Sequence, residues 1–262
     1  MRTEAEPFGI TYDRFRVGRL LGRLAAGHRL ERALEVEARG AKACPSLYSI
    51  ALGLAGCDVW LANGHPGSLA HWARLGVESR AHIVRVSAAG LPFADASFDL
   101  VWNFVTLQRE PRLDAALAEM ARVSRGLVLV VFQNGYNLGY PWHRFLHRLF
   151  DLAWTHGRPE TFFAGRMRVA FRGAGIEPVE TLLLDQVPWH DPPGFRDVRL
   201  HRSGLDIGRE EEATWAVPAI DYHRTGFPLA YRALGFLEEL PVPRLLRWPV
   251  NHLYALVGRV CR

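Results

Sequence analysis

Between residues 33 and 134 short apolar runs alternate with longer amphipathic ones, and no other feature limits the fold so much. The runs ALEVEA (33–38), DVWLAN (58–63), HIVRVSA (82–88), FDLVWNFV (98–105) and GLVLVVFQN (126–134) predict strands. Between them SLYSIALGLAG (46–56), PGSLAHWARLG (66–76) and RLDAALAEMARVSR (112–125) predict helices, the first with Pro45 near its start and Gly56 at its end. In the third, Leu113, Leu117, Met120 and Val123 share one face. The last strand is apolar without alternation, as expected of a parallel strand covered on both faces. Strand–helix alternation of this kind implies an α/β fold, a doubly wound Rossmann-like sheet of about seven mostly parallel strands with helices on both faces. Ligands of such sheets bind beyond the carboxyl ends of the strands, which directs attention to 37–45, 63–65, 87–93, 103–109 and 134–142.

After residue 135 the pattern loosens. Helices are predicted over 140–157, 159–175 and 228–240, and strands over 176–188 and 252–260; residues 189–228 resist assignment. The 262 residues suit one domain over 1–262, with a core of about 30–188 and 250–262. An N-terminal helical segment (1–30) and a substrate-side or lid insertion (about 189–250) complete it. No apolar run approaches membrane-span length and the N-terminus does not read as a signal peptide, so the expected location is cytoplasmic. The net charge is +5, but the basic residues are scattered arginines with Lys42 as the single lysine, which argues against a nucleic-acid groove. Cys44, Cys57 and Cys261 have neither disulfide-framework nor metal-ligand spacing, so reduced and mostly buried thiols are expected.

At VSAAGLPFADASFDLVWNF (86–104) the chain resembles a family. Leu91-Pro92-Phe93, Asp95, Ser97-Phe98-Asp99 and Leu100-Val101 match, in order and spacing, a segment of the class I S-adenosylmethionine (SAM)-dependent methyltransferases of the type 11 group. ALAEMARVSRGLVLVV is similar to that family's following helix and fifth strand, and HLYALVGRV to its last strand. The resemblance covers roughly residues 30–185 plus that ending. It implies SAM as cofactor and methyl transfer as activity.

Carried over residue by residue, the family's cofactor positions hold unusual residues here. Its first loop is acidic–x–Gly–x–Gly–x–Gly, whose glycines let backbone approach the methionine end of SAM. In this chain Glu35 keeps the acidic position, Glu37, Arg39 and Ala41 replace the glycines, and Gly40 is displaced by one. Asn63 stands where the family has an acidic residue for the ribose hydroxyls; an amide offers one acceptor and a donor in its place. Ser87 and Ala88 precede Leu-Pro-Phe, where the family's Asp meets the adenine amino group. The Pro-Gly-Gly before the fifth strand is shortened to Arg125-Gly126. At about 1 kcal/mol per lost contact, four departures would weaken binding by roughly two to three orders of magnitude. Either a charged loop substitutes, with Glu37 on the SAM ammonium and Arg39 or Lys42 on its carboxylate, or the site has been lost.

Further candidates follow from position. Tyr12 resembles an N-terminal aromatic that caps SAM in family members, and Asn103 and Asn134 end strands at the ligand side. Downstream, His143, His147 and His156 with Tyr136, Tyr140 and Trp142 form an aromatic and histidine cluster; His143 is the candidate general base. Although His143 and His147 are i, i+4, no third ligand follows closely, and no metal is expected. The stretch 227–254 mixes aromatic, apolar and basic residues like an interfacial helix, which fits a lipid-like substrate or a peripheral membrane contact. The expected function is SAM-dependent methyl transfer to a small or lipid-like acceptor. The alternative is a catalytically inactive methyltransferase-like protein serving as a binding or scaffold subunit, which the altered loop, Asn63 and Ser87 favour.

Overall fold

The computed structural model describes residues 6, 8–39, 46–185 and 216–261. Seven strands form one sheet: β1 (Arg32–Glu35), β2 (Asp58–Ala62), β3 (Ala81–Val84), β4 (Phe98–Phe104), β5 (Ser124–Gln133), β6 (Ile176–Leu184) and β7 (Leu253–Val260). Their order is β3-β2-β1-β4-β5-β7-β6, with β7 antiparallel to both its neighbours. The order reverses between β1 and β4, so the crevice for a ligand lies beyond their carboxyl ends. The predicted seven-stranded, mostly parallel sheet is therefore present.

Alternation along the strands sorts side chains into two cores. Ala33, Val59, Leu61, Leu100, Trp102 and Leu129 point to the face covered by α1 (Phe8–His28), α2 (Ile50–Leu54) and α3 (Leu69–Arg74). Leu34, Val101, Val128, Val130 and Leu256 point to the face covered by α4 (Leu113–Val123) and α6 (Ala164–Gly173). Helix α5 (Gly139–Leu149) follows β5. Beyond residue 215, α7 (Pro218–Thr225), α8 (Leu229–Glu239) and α9 (Arg244–Arg247) precede β7. Helix α1 is 21 residues long, about 30 Å at 1.5 Å per residue. Its C-terminal end feeds β1, so its first half overhangs the carboxyl edge of the sheet.

The matched LPF–SFD segment proves to be a folding device. Arg122 donates from Nη1 and Nη2 to the Phe93 and Leu91 carbonyls, both at 2.8 Å, and bonds Asp95 and Glu119. Glu119 in turn accepts from the Leu91 N–H. Asp99 accepts from the N–H groups of Glu31 and Arg32 at the start of β1, and pairs with Arg125. Burial opposes its charge, but the Arg125 and backbone bonds hold its carboxyl below the usual range.

Two helix predictions are corrected. The helix expected over 140–157 ends at Leu149, because Asp151 turns the chain at φ 50° and the following segment folds back on α5. The one expected over 159–175 is a 3₁₀ turn (Pro159–Phe162) and then α6, broken at an extended Phe163. The break frees the Phe162 carbonyl, which accepts from Gly135 N–H at 2.7 Å. A Cβ at Gly135 would lie 2.8 Å from that of Phe162, so this approach needs glycine. Most of the proposed insertion 189–250 lies outside the described residues; its final part supplies α7 to α9. Cys57 is buried and Cys261 exposed.

Candidate functional site

The chain leaves β1 and crosses the carboxyl edge on two strand-like bonds: Val36 N–H to the Trp102 carbonyl at 2.8 Å and Ala38 N–H to that of Ala62 at 2.7 Å. Between them Glu37 adopts φ 54°. That is the left-handed region glycine occupies at little cost, so the backbone turns as a glycine loop would while carrying a carboxylate. Its Oε1 accepts from Asn63 Nδ2 at 2.7 Å. Asn63 itself sits at φ 58° just past β2, donates to the Val86 carbonyl and accepts from the Val86 N–H. The glutamate is thus turned toward the end of β2, the ribose place of the resemblance, rather than toward an ammonium. Partial burial raises the Glu37 pKa, opposed by the Asn63 bond; Glu110 raises it further and Arg39 lowers it. Arg39 is exposed at the mouth, and Gly40, Ala41, Lys42 and Cys44 lie outside the described residues.

Beside this pair, Ser87 forms a bridge with Gly90, and its Oγ accepts from Arg112 Nη2 at 3.3 Å. Ala88 is buried in the second core and presents no polar group beyond its backbone. Arg112 escaped sequence reading because it lies at the entrance of α4, outside the family's cofactor positions.

Four expected contacts are placed elsewhere. Asn103 is fully buried; its amide donates to the Val36 carbonyl at 2.7 Å and to Thr106, and its Oδ1 accepts from Leu107 N–H. It braces β4 against the β1 loop, and no face remains for a cofactor. Tyr12 is also fully buried, among Phe8, Phe15 and Tyr231, with its hydroxyl donating to Glu238 Oε1 at 2.8 Å. It joins α1 to α8 instead of capping a ligand. Glu35 is 2% exposed and accepts from Ser49 Oγ at 2.6 Å, while Trp102 Nε1 donates to the same Oγ. Burial pushes its pKa up to about 8 against the Ser49 bond and the Arg14 charge. This motif carboxyl ties β1, β4 and the start of α2 together from below the loop. Asn134 is likewise spent, on the carbonyls of Trp248 and Asn251 and the N–H of Tyr136.

The histidine cluster does assemble, and here the expectation of no third ligand is corrected. His143 and His147 on α5 meet His156 from the returning segment, with ligand atoms within 4.8 Å of one another. His143, the candidate base, is a member of this trio rather than a separate group in the crevice.

Residues 43–131 match a family described as a methyltransferase domain. That match spans the central strands and helices of the sheet and leaves both ends of the chain outside it. No curated protein matches it. Among solved structures, the YcgJ protein from Bacillus subtilis superposes at a TM-score of 0.54 and 18% identity, over 94% of this chain and 98% of its own. The [4+2]-cyclase SpnF gives 0.53 and 17%, over 93% and 81%. A geranyl diphosphate methyltransferase in complex with SAM gives 0.50 and 12%, over 94% and 84%. At such identities the likeness establishes the fold.

Proposed function

We propose that this methyltransferase domain binds SAM and transfers its methyl group, using a carboxylate brought in from the first loop. The observation that carries this reading is the Glu37–Asn63 bond. The second strand ends in an amide, yet a carboxylate stands beside it, its second oxygen available for a ribose hydroxyl. Such a charge-assisted bond is about twice as strong as a neutral one, which offsets the loss implied by Asn63 alone. Arg39, exposed at the loop, suits the carboxylate of the methionine end.

When bound, SAM supplies a methyl group on a sulfonium that is already strongly electrophilic. The chain's own part is to hold and exclude: Glu37 and Asn63 orient the ribose, Ser87 and Arg112 border the adenine side, and Asn103 and Glu35 keep the loop in its turned shape. Positioning of this kind is where such an enzyme gains most of its rate.

A lipid-like acceptor accounts for the surface of 227–254. Leu229, Phe236, Leu245 and Leu246 are exposed there, interspersed with Arg232 and Arg244, a pairing suited to an anionic membrane surface. The second reading, a binding subunit without catalysis, is favoured by the altered loop and by Asn103, Tyr12 and Glu35, whose polar groups are bonded inside the fold.

Calorimetric titration with SAM and its demethylated product separates the two. Glu37→Gly restores the family's residue and relieves the left-handed φ. If Glu37 holds the ribose, this variant unfolds at a higher temperature yet binds both ligands about tenfold more weakly, or about 1.4 kcal/mol. Unchanged or tighter binding would show that Glu37 is no ligand contact, and no heat at millimolar ligand with wild-type protein would favour the binding subunit.

A further inference from the structure

We infer that His143, His147 and His156 form a binding site for a divalent transition-metal ion of the zinc class. This inference does not depend on the methyl-transfer reading. His147 Nε2 lies 3.2 Å from His143 Nε2 and 3.2 Å from His156 Nε2. Zinc–nitrogen bonds of about 2.0–2.1 Å at tetrahedral angles set neighbouring ligand nitrogens roughly 3.3 Å apart. The two edges at His147 have that length, and all three ligand atoms lie within 4.8 Å of one another.

The central ring is already set in the ligating tautomer. His147 Nδ1 faces the carbonyls of Leu152 (3.3 Å) and Ala153 (3.1 Å). Carbonyls only accept, so Nδ1 carries the proton and the neutral ring presents a lone pair at Nε2. That one lone pair meets two other imidazole nitrogens, and a hydrogen bond can use it only once. A cation placed among the three takes a lone pair from each. Backbone carbonyls that fix the far nitrogen are the usual outer partners of metal-bound histidine.

The surroundings support a built site rather than a chance meeting. Trp154 meets all three rings edge to face, at centroid distances of 5.3, 5.1 and 4.8 Å, and forms an aromatic wall. Its Nε1 donates to the Gly157 carbonyl at 2.8 Å. Gly157, at φ 110°, lies so close to Gln108 that a Cβ there would stand 2.5 Å from the Gln108 carbonyl oxygen. Arg158 N–H also bonds that carbonyl at 2.8 Å. The segment carrying His156 is thereby fastened to the turn after β4, on the ligand side of the sheet. Three nitrogen ligands leave a fourth tetrahedral position, suited to water or to an oxygen of a bound molecule. His143 and His156 are only half-buried, so that position is reachable.

The test uses untagged full-length protein titrated with cobalt(II) and zinc. Wild type is expected to bind one equivalent of cobalt with the strong visible absorption of a four-coordinate ion, displaced by zinc, and to gain thermal stability with zinc. His143→Ala and His156→Ala should each weaken zinc binding by at least about 100-fold, since loss of an outer partner alone costs roughly 10- to 100-fold. His28→Ala, at the far end of α1, should leave binding unchanged. Saturable uptake that persists in both folded cluster variants overturns the site, as does wild-type protein that takes up no metal. Should an alanine variant fail to fold, the wild-type cobalt spectrum decides: weak six-coordinate absorption or none overturns the inference.

Discussion

Glu35 holds a proton at neutral pH because its carboxyl is buried and the Ser49 and Arg14 contacts do not compensate. An unfolded glutamate titrates near 4.5 and this one at about 8, so the folded state binds more protons between those values. The stabilising contribution is complete below about pH 4.5 and is lost as pH rises through about 8. Glu35→Gln, which mimics the protonated group, should match wild type in thermal unfolding near pH 4.5, exceed it increasingly toward pH 8, and keep a constant lead above that. A constant difference between about pH 4.5 and 8 would refute the assignment. Glu37 also has a raised pKa, but its proposed role needs the ionised form. SAM affinity measured by calorimetry should therefore rise with pH through a midpoint above the ordinary carboxylate range, and Glu37→Gln should flatten that dependence. Tyr12→Phe removes the only donor to Glu238 Oε1 that its ring can offer, at a fully buried position. Chemical denaturation should show a loss of about 1–3 kcal/mol, with SAM binding unaffected.

The elements that depart from simple periodicity do so where a tertiary contact claims a residue. The apolar and aromatic run through 140–157 favours a longer helix, but continuing it would carry Trp154 and His156 away from α5. The chain instead turns at Asp151 and bonds Leu152 N–H to the His147 carbonyl at 2.8 Å. Gly157 is the hinge of this arrangement, since its φ and its approach to Gln108 both exclude a side chain. Gly157→Ala should destabilise the fold by roughly 1–3 kcal/mol and, by displacing His156, abolish the cobalt spectrum. An alanine variant that unfolds like wild type would show that the 150–158 segment is not fastened as described. Helix α1 illustrates the converse. Its Arg14 and Arg16 are buried against Glu6 and Glu238, partners brought by a short N-terminal segment and by α8, and neither pairing has a local sequence signature.

For the whole molecule, the exposed leucines and arginines of 227–254 matter as one surface. Co-sedimentation with vesicles of mixed neutral and anionic lipid should retain wild type and release the double variant Leu245→Asp, Leu246→Asp. Both residues are exposed at 84% and 66%, so the substitutions leave the fold intact. Equal retention of the two proteins would remove the membrane-surface part of the proposal. Among the described residues no helix is long and apolar enough to cross a membrane.

The sequence by itself determined the sheet. The strands, the helices between residues 46 and 125, and the place of the Leu91–Asp99 segment before β4 follow from local periodicity and a short motif, because burial of one face leaves its mark on neighbouring residues. It also marked the β1 loop as altered. Only the tertiary structure decided what the alteration does: Glu37 reaches Asn63 across two strands, Glu35 and Asn103 turn inward, Tyr12 joins a helix more than two hundred residues away, and His156 completes a trio with α5. Each of these depends on which side chains meet in space, and hydrogen-bond partners distant in the chain leave no periodicity to read.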